Sequence, residues 1–366
     1  MLQADVVTAL GTMSGTSLDG VDAALLVTDG VEIIGFGATS YRPYSTVEQT
    51  VLRAALGLWQ EDDVTLAARL VEAAHCEVMR SLGRAAIAGF HGQTLAHDPG
   101  GRGTHQCGDG QRLANALGYP VAWDFRTADV AAGGQGAPLA PFFHWALARW
   151  IGATGPVAFL NLGGLGNITW VDPAIDDPAA PGALLAFDTG PANAPMNDLM
   201  QQRRGQRHDA GGALALAGEV RNKVIADFKT HPFLAQAAPK SLDRDAFADL
   251  LTAVAQMDDA DALATLAQAV VVSVSAGVQL CPKPPAQVLV TGGGRYNEAL
   301  MQGLKAELDC DVQPVEAVGL NGDMIEAQAF AYLAVRSAKG LPLSAPMTTG
   351  VPKALTGGIL SVPHKV

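Results

Sequence analysis

Residues 11–25 read GTMSGTSLDGVDAAL, and their types suit the holding of phosphate oxygens. Gly11, Gly15 and Gly20 permit positive φ and close approach of the backbone to a ligand. Backbone N–H groups and the hydroxyls of Thr12, Ser14, Thr16 and Ser17 can cradle phosphate. Asp19 and Asp22 would repel a bare phosphate, and make sense if a divalent cation, or water on it, lies between. The same residues also suit a tight, solvated hairpin turn, because glycine-rich loops are common. The P-loop signature, with its Lys and Ser or Thr after the glycines, is absent.

Other polar clusters close apolar runs. HGQT at 91–94 follows the run 85–90, and α/β sheets meet ligands beyond the C-terminal ends of strands. His91 could equally be a satisfied polar residue there. DFR at 124–126, with Asp129 after it, ends a second run. DTGP at 188–191 ends a third, so Asp188 lies after a strand and before a Gly-Pro turn, where capping the next helix is its plain role. GGGRYN at 292–297 lies between a buried strand and a helix, a nucleotide-approach arrangement. Glu326 opens the helix expected over 323–337, where the dipole favours an acid regardless of function. Arg203, Arg204, Arg207 and His208 could meet a substrate carboxylate or form a solvated loop.

The elements that must position these groups alternate between strand and helix. Residues 6–10 and 23–27 flank the opening turn as a hairpin, and 157–171 (VAFLNLGGLGNITWV) repeats strand, glycine turn and strand. An internal duplication would give two similar domains. Residues 131–141 (AAGGQGAPLAP) suit a hinge or a plain linker, and 97–104 read as a loop. Helices are expected over 213–229, 245–257 and 261–279, the last apolar almost all round and therefore in the core.

A length of 366 residues favours two domains, and 49% hydrophobic content supplies a large core. The net charge of -12 argues against general attraction to nucleic acid or anionic membrane. Cys76, Cys107, Cys281 and Cys310 are scattered, with neither CxxC pairs nor metal-ligand spacing, and read as reduced thiols. No basic leader precedes the first strand, and the apolar stretches are too short or interrupted to span a bilayer. A cytoplasmic protein is expected.

Three glycine-rich turns after strands, at 11–20, 163–166 and 292–294, resemble the two phosphate loops and the adenosine loop of the actin, Hsp70 and hexokinase-like ATPases. More closely, GTMSGTSLDGVDAAL, HGQT, DFRTADVAAGGQGAPLAP, NLGGLGNIT, DTGPANAPMND, TGGGRYN and LPLSAPMTTG resemble the motifs of the anhydro-N-acetylmuramic acid kinases, in family order along essentially the whole chain.

That resemblance implies an α/β fold of two similar RNase H-like domains, with mixed central sheets facing an ATP cleft. The first domain would comprise 1–130 plus 341–366 and the second 131–340. It implies an enzyme that uses ATP and Mg²⁺ to phosphorylate 1,6-anhydro-N-acetylmuramic acid at O6 while water opens the 1,6-anhydro bridge, during cell-wall recycling. Asp188 would be the general base. Gly15, Thr16, Ser17, Leu18, Asp19, Gly20, Val21 and Asp22 would form the first phosphate loop, with Asp19 reaching Mg²⁺ through water. Gly163 and Gly164 would form the second phosphate loop, and Gly292, Gly293 and Gly294 the adenosine loop. Gln93, Thr94, Asp124, Arg126 and Glu326 would hold the sugar. Arg126 would meet the lactyl carboxylate, or pair internally with Asp124 or Asp129. The partners would be the sugar and a second copy in a homodimer, without nucleic acid or membrane. Two departures stand out: DTGPAN has Ala192 in place of glycine, and KSLDR at 240–244 replaces KSTGR. The alternatives are a kinase of another amino sugar, or a regulatory ATPase of the Hsp70 or actin type.

Overall fold

The computed structural model describes residues 4–242 and 247–364. Among them the strands are β1 Val7–Ser14, β2 Gly20–Thr28, β3 Ile33–Pro43, β4 Ile87–Asp98, β5 Gly103–Cys107, β6 Val121–Trp123, β7 Val157–Leu162, β8 Leu165–Val171, β9 Leu184–Pro191, β10 Gln287–Thr291, β11 Asp311–Pro314 and β12 Ile359–Ser361. The chain divides into two units, Met1–Trp150 with Asp323–Val366, and Ile151–Gly322.

In the first unit the sheet runs β12-β6-β4-β1-β2-β3, with β5 paired to β4. β1, β2 and β3 pair antiparallel, whereas β1–β4 and β4–β6 are parallel. In the second unit the order is β11-β10-β7-β8-β9. β7, β8 and β9 pair antiparallel, and β7–β10 and β10–β11 are parallel. Each half thus builds an antiparallel meander first and then adds parallel strands on the meander's first member. This shared order is the RNase H-like topology, so the duplication visible in two hairpins extends to both sheets.

The expected divisions at 130/131 and 340/341 move to 150/151 and 322/323. Helices Pro141–Trp150 and Ile325–Lys339 belong to the first unit. The second of them lies directly on the backbone of β1 and β4. A Cβ on Gly11 would stand 2.0 Å from the Ala327 carbonyl oxygen, and one on Gly89 would stand 2.1 Å from that of Phe330. Only glycine allows that approach. Residues 131–136 are no hinge between units either. They are tied down inside the first unit, where Asp129 Oδ1 accepts from Gly136 N at 2.6 Å and Gln135 N donates to Thr349 O at 2.7 Å.

Several elements differ from expectation. β4 continues through HGQT to Asp98, and 97–104 is largely the β4–β5 hairpin rather than a loop. The helix expected over 213–229 breaks into Ala213–Ala217 and Asn222–Phe228. Gly218 between them is extended, and a Cβ there would lie 2.1 Å from Ala260 O. The helix expected from Asp245 is described as Ala248–Ala253, and Asp245 lies outside the described residues. Asp259–Val278 is the one helix among the described residues long and apolar enough to cross a membrane. Its residues Leu263, Leu266 and Val270 sit in the core of the second unit beside Trp170, Phe187 and Val290. Asp258 caps it by accepting from Asp261 N at 3.0 Å. All four cysteines are free.

Candidate active site

In the first unit β1 ends at Ser14 and β2 begins at Gly20, which leaves a short connecting loop. Three of its five carbonyls, those of Gly15, Leu18 and Asp19, are taken up by the protein. Gly15 O accepts from Gln93 Nε2 at 3.1 Å, Leu18 O from Gln49 Nε2 at 3.0 Å, and Asp19 O from Tyr44 N at 2.9 Å. Among the described residues no acceptor meets the N–H groups of Thr16, Ser17 or Asp19, and all three residues are exposed. With those carbonyls engaged and the N–H groups of Thr16, Ser17 and Asp19 unengaged, the loop has backbone donors to offer anionic oxygens. Leu18 is buried at φ +59, a costly conformation for a leucine, and such strain concentrates at ligand-binding loops.

The expected phosphate-loop residues fall into two kinds. A Cβ on Gly15 would meet nothing closer than Ser17 Oγ at 3.6 Å, and Gly163, Gly164 and Gly293 are similarly open. Gly20 is different, because a Cβ there would stand 2.5 Å from Arg42 O and 2.7 Å from the Tyr41 ring. Gly292 (φ +71) faces Asn161 Oδ1 at 2.4 Å, and Gly294 faces Leu162 Cβ at 2.4 Å. At these three positions a side chain would strike neighbouring protein, so packing alone already demands glycine. The side chains of Leu18 and Val21 point into the core, so these residues have only backbone to offer.

Asp22, half-buried on β2, is pushed up to about 7 by burial and then by the neighbouring charges of Glu326, Asp323 and Asp19. Among the described residues no group of three or more acidic, His or Cys side chains forms a metal cage. Asp19 therefore has no ready-made set of protein ligands around it. Mg²⁺ usually takes only one or two carboxylates together with substrate phosphates, so mutually repelling acids beside an anion cradle fit such an ion.

The sugar candidates separate in the same way. Gln93 is 0% exposed; its Oε1 accepts from Ser14 Oγ at 2.5 Å and its Nε2 holds Gly15 O. It braces the 15–19 loop and exposes no surface to a sugar, in contrast to the expected contact. Thr94 is half-buried on β4, next to Gln106 Nε2 at 3.3 Å. Asp124 adopts φ +50 and accepts from Thr127 Oγ1 at 2.5 Å. Arg126 pairs with neither Asp124 nor Asp129. Its Nη1 donates to Gly136 O at 2.8 Å, and its Nη2 and Nε approach His91 Nε2 at 3.1 and 3.4 Å. Burial lowers its pKa, while Glu326 and Asp129 oppose that shift. Asp129 is buried, with its oxygens given to Gly136 N and Thr349 Oγ1. Glu326 is solvent-accessible in the first turn of its helix, yet surrounding protein raises its pKa against the pull of Arg126.

In the second unit Asp188 lies within β9 rather than after it, opposite Asn167 of β8. Its N–H donates to Lys240 O at 2.9 Å, and Leu242 N donates to its Oδ2 at 2.8 Å. Burial pushes Asp188 up to about 6, and the Leu242 N–H opposes that rise. A half-buried carboxylate raised to about 6, with one oxygen held, suits proton exchange with a bound water. The sequence did not tie KSLDR to this group. Yet Lys240 and Leu242 of that motif bracket it, while Asp243 and Arg244 lie outside the described residues. Lys240 is itself anchored, with Nζ donating to Phe233 O at 2.7 Å. The methyl of Ala192 is buried in the core cluster with Met196 and Leu199.

Gly163 and Gly164 form the β7–β8 turn, whose carbonyls accept from Asn193 N at 2.9 Å and Ala194 N at 3.1 Å. A cavity of about 250 Å³ opens beside Gly293, lined by Asn193, Asn197, His208, Tyr296 and Asn297. Arg203 and Arg204 of the basic cluster are bonded to Asp259 at 3.2 and 2.7 Å and serve the scaffold.

Comparison with known proteins shows the family. Residues 7–362 match the family model described as anhydro-N-acetylmuramic acid kinase. A protein of Cereibacter sphaeroides with that name is 65% identical over 365 residues, covering 100% of this chain and 98% of the relative. One from a Ruegeria species, named likewise, is 59% identical over 358 residues, covering 98% and 96%. Among solved structures, component A of (R)-2-hydroxyglutaryl-CoA dehydratase from Acidaminococcus fermentans aligns with a TM-score of 0.47 at 14% identity, covering 91% of this chain and 99% of that one. That likeness is too distant to bear on substrate.

Proposed function

Since this chain belongs to the anhydro-N-acetylmuramic acid kinase family, we propose that it phosphorylates 1,6-anhydro-N-acetylmuramic acid at O6 with ATP while water opens the 1,6-anhydro bridge. The observation that carries the reading is Asp188, raised to about 6 and fixed through one oxygen by Leu242 N–H. Asp188 takes a proton from water as the water oxygen bonds to C1. The C1–O6 bond breaks, O6 bonds to the γ-phosphorus, and ADP leaves with the electrons of the broken P–O bond. The product is N-acetylmuramic acid 6-phosphate.

Each remaining group positions or neutralises. The outward N–H groups of Thr16, Ser17 and Asp19 suit the ATP phosphates. The glycines at 163, 164 and 293 leave room for close approach. The cavity beside Gly293 is lined by amides suited to a nucleoside base. Asp19 and Asp22 would hold Mg²⁺ against the phosphates, where it would offset the charge that develops during transfer. Arg126 would bind the lactyl carboxylate, and Thr94, Asp124 and Glu326 the sugar's hydroxyl and acetamido groups. A cytoplasmic homodimer acting in cell-wall recycling completes the reading.

Incubation with ATP, Mg²⁺ and the anhydro sugar in ¹⁸O-labelled water tests it. The product should gain the mass of phosphate plus water, with label at C1. A product heavier by phosphate alone, or label in the phosphate, overturns the reading.

A further inference from the structure

We infer that His91 is a positioning residue for Arg126, a neutral imidazole whose Nε2 accepts from the guanidinium and turns its free edge toward the substrate's carboxylate. The inference rests on the functional reading above and goes beyond it.

Arginine has only donors, so the contacts from Nη2 at 3.1 Å and Nε at 3.4 Å require a bare lone pair on His91 Nε2. The ring proton therefore sits on Nδ1, where it donates to Gly92 O at 2.7 Å. Gly92 is held at φ +73, and a Cβ there would stand 2.7 Å from Cys107 O, so no other residue fits this support easily. His91 is 3% exposed and packs against the Phe330 ring at a tilt of 52°, centroids 4.7 Å apart, so it does not touch the substrate itself. Burial and the adjacent Arg126 hold its pKa well below the usual histidine value, which keeps the acceptor unprotonated.

The donor count shows what this arrangement does. Of the five N–H groups of a guanidinium, His91 engages Nε–H and one on Nη2, and Gly136 O engages one on Nη1. One N–H remains on each terminal nitrogen. Two donors left on adjacent terminal nitrogens are what a guanidinium uses to grip a carboxylate. A solvated arginine would offer either edge, whereas this one is left with a single edge to present.

The test compares His91→Phe, which keeps the ring packing on Phe330 but loses the acceptor, with His91→Gln, which restores an acceptor. In the full chain His91→Phe should raise KM for the anhydro sugar by roughly 10- to 100-fold, the weight of a misplaced charge-assisted pair, with kcat changed far less. His91→Gln should recover part of that loss. In an Arg126→Ala background His91→Phe should add nothing, because its effect runs through the arginine. An equal loss in both backgrounds, or a loss in kcat alone, overturns the inference. Should His91→Phe fail to fold, ¹⁵N spectra of the wild-type imidazoles decide. A protonated Nδ1 and bare Nε2 on His91 across neutral pH support the inference, and the opposite tautomer overturns it. A wild-type chain inert toward the sugar overturns the functional reading and this inference with it, whereas an active wild type with an unaffected His91→Phe overturns only the latter.

Discussion

Asp22 in the first unit and Asp188 in the second are both raised well above an ordinary carboxylate, chiefly by burial, but their neighbours act on them in opposite directions. Burial raises Asp22, and the charges of Glu326, Asp323 and Asp19 add to it, reaching about 7. Burial alone raises Asp188, and a backbone N–H holds it back, at about 6. Like-charge repulsion is removed by a cation, whereas desolvation is not. The first carboxylate is therefore suited to answer an ion, and the second to exchange a proton with water irrespective of that ion.

The strongest way to break this contrast is Asp188→Asn, which keeps shape and the Leu242 contact but cannot take a proton. Turnover is expected to fall by roughly 10² to 10⁴, with sugar and nucleotide binding largely kept. Single-turnover kinetics on the folded variant check this, and near-normal rates would move the base elsewhere. The next effect separates the two kinds of glycine. Gly15→Val projects into open space and should leave the fold intact, while each lost backbone–phosphate bond weakens nucleotide affinity by roughly 10- to 100-fold. Gly20→Val should instead lower thermal stability, because its side chain strikes Arg42 O and Tyr41. Calorimetry and nucleotide titration of the pair distinguish the two.

Leu242→Pro removes the N–H that steadies the Asp188 carboxylate. The pKa of Asp188 should then rise, and the acid limb of kcat/KM should move up by about one pH unit. A limb that stays in place would show that the strap does not tune the base. The smallest effect concerns Asp22. A carboxyl raised in the folded state keeps a proton that the unfolded chain has released, so folding stability falls as pH climbs from the ordinary carboxylate range through about 7. Asp22→Asn should abolish its share of that fall. The variant should match the wild type at about pH 4 and melt a few degrees higher at about pH 8, and added Mg²⁺ should close part of the gap for the wild type alone.

Much of this was legible in the residues. Two apolar hairpins with glycine turns announced the duplicated sheets, and DTGP marked the buried carboxylate. What stayed hidden was tertiary in origin. Nothing local shows that Gln93 lies under a loop 78 residues away in the chain, or that Lys240 and Leu242 reach back to Asp188. The spacing of glycines cannot distinguish Gly15, which faces open space, from Gly20, which faces a carbonyl, because the distinction depends on β3. Gly218 broke an apparent helix because the neighbouring helix needed its missing Cβ, a requirement that periodicity cannot carry.

The helix that carries Glu326 rests on β1 and β4 peptide against peptide at Gly11 and Gly89. Interlocking side chains leave slack that a core can absorb by changing rotamers; bare main chain leaves none. The seat of that carboxylate is thus set by main chain meeting main chain as well as by side-chain packing. A single methyl at either glycine would push against the helix backbone, and with it the Glu326 carboxylate, without altering one chemically reactive atom.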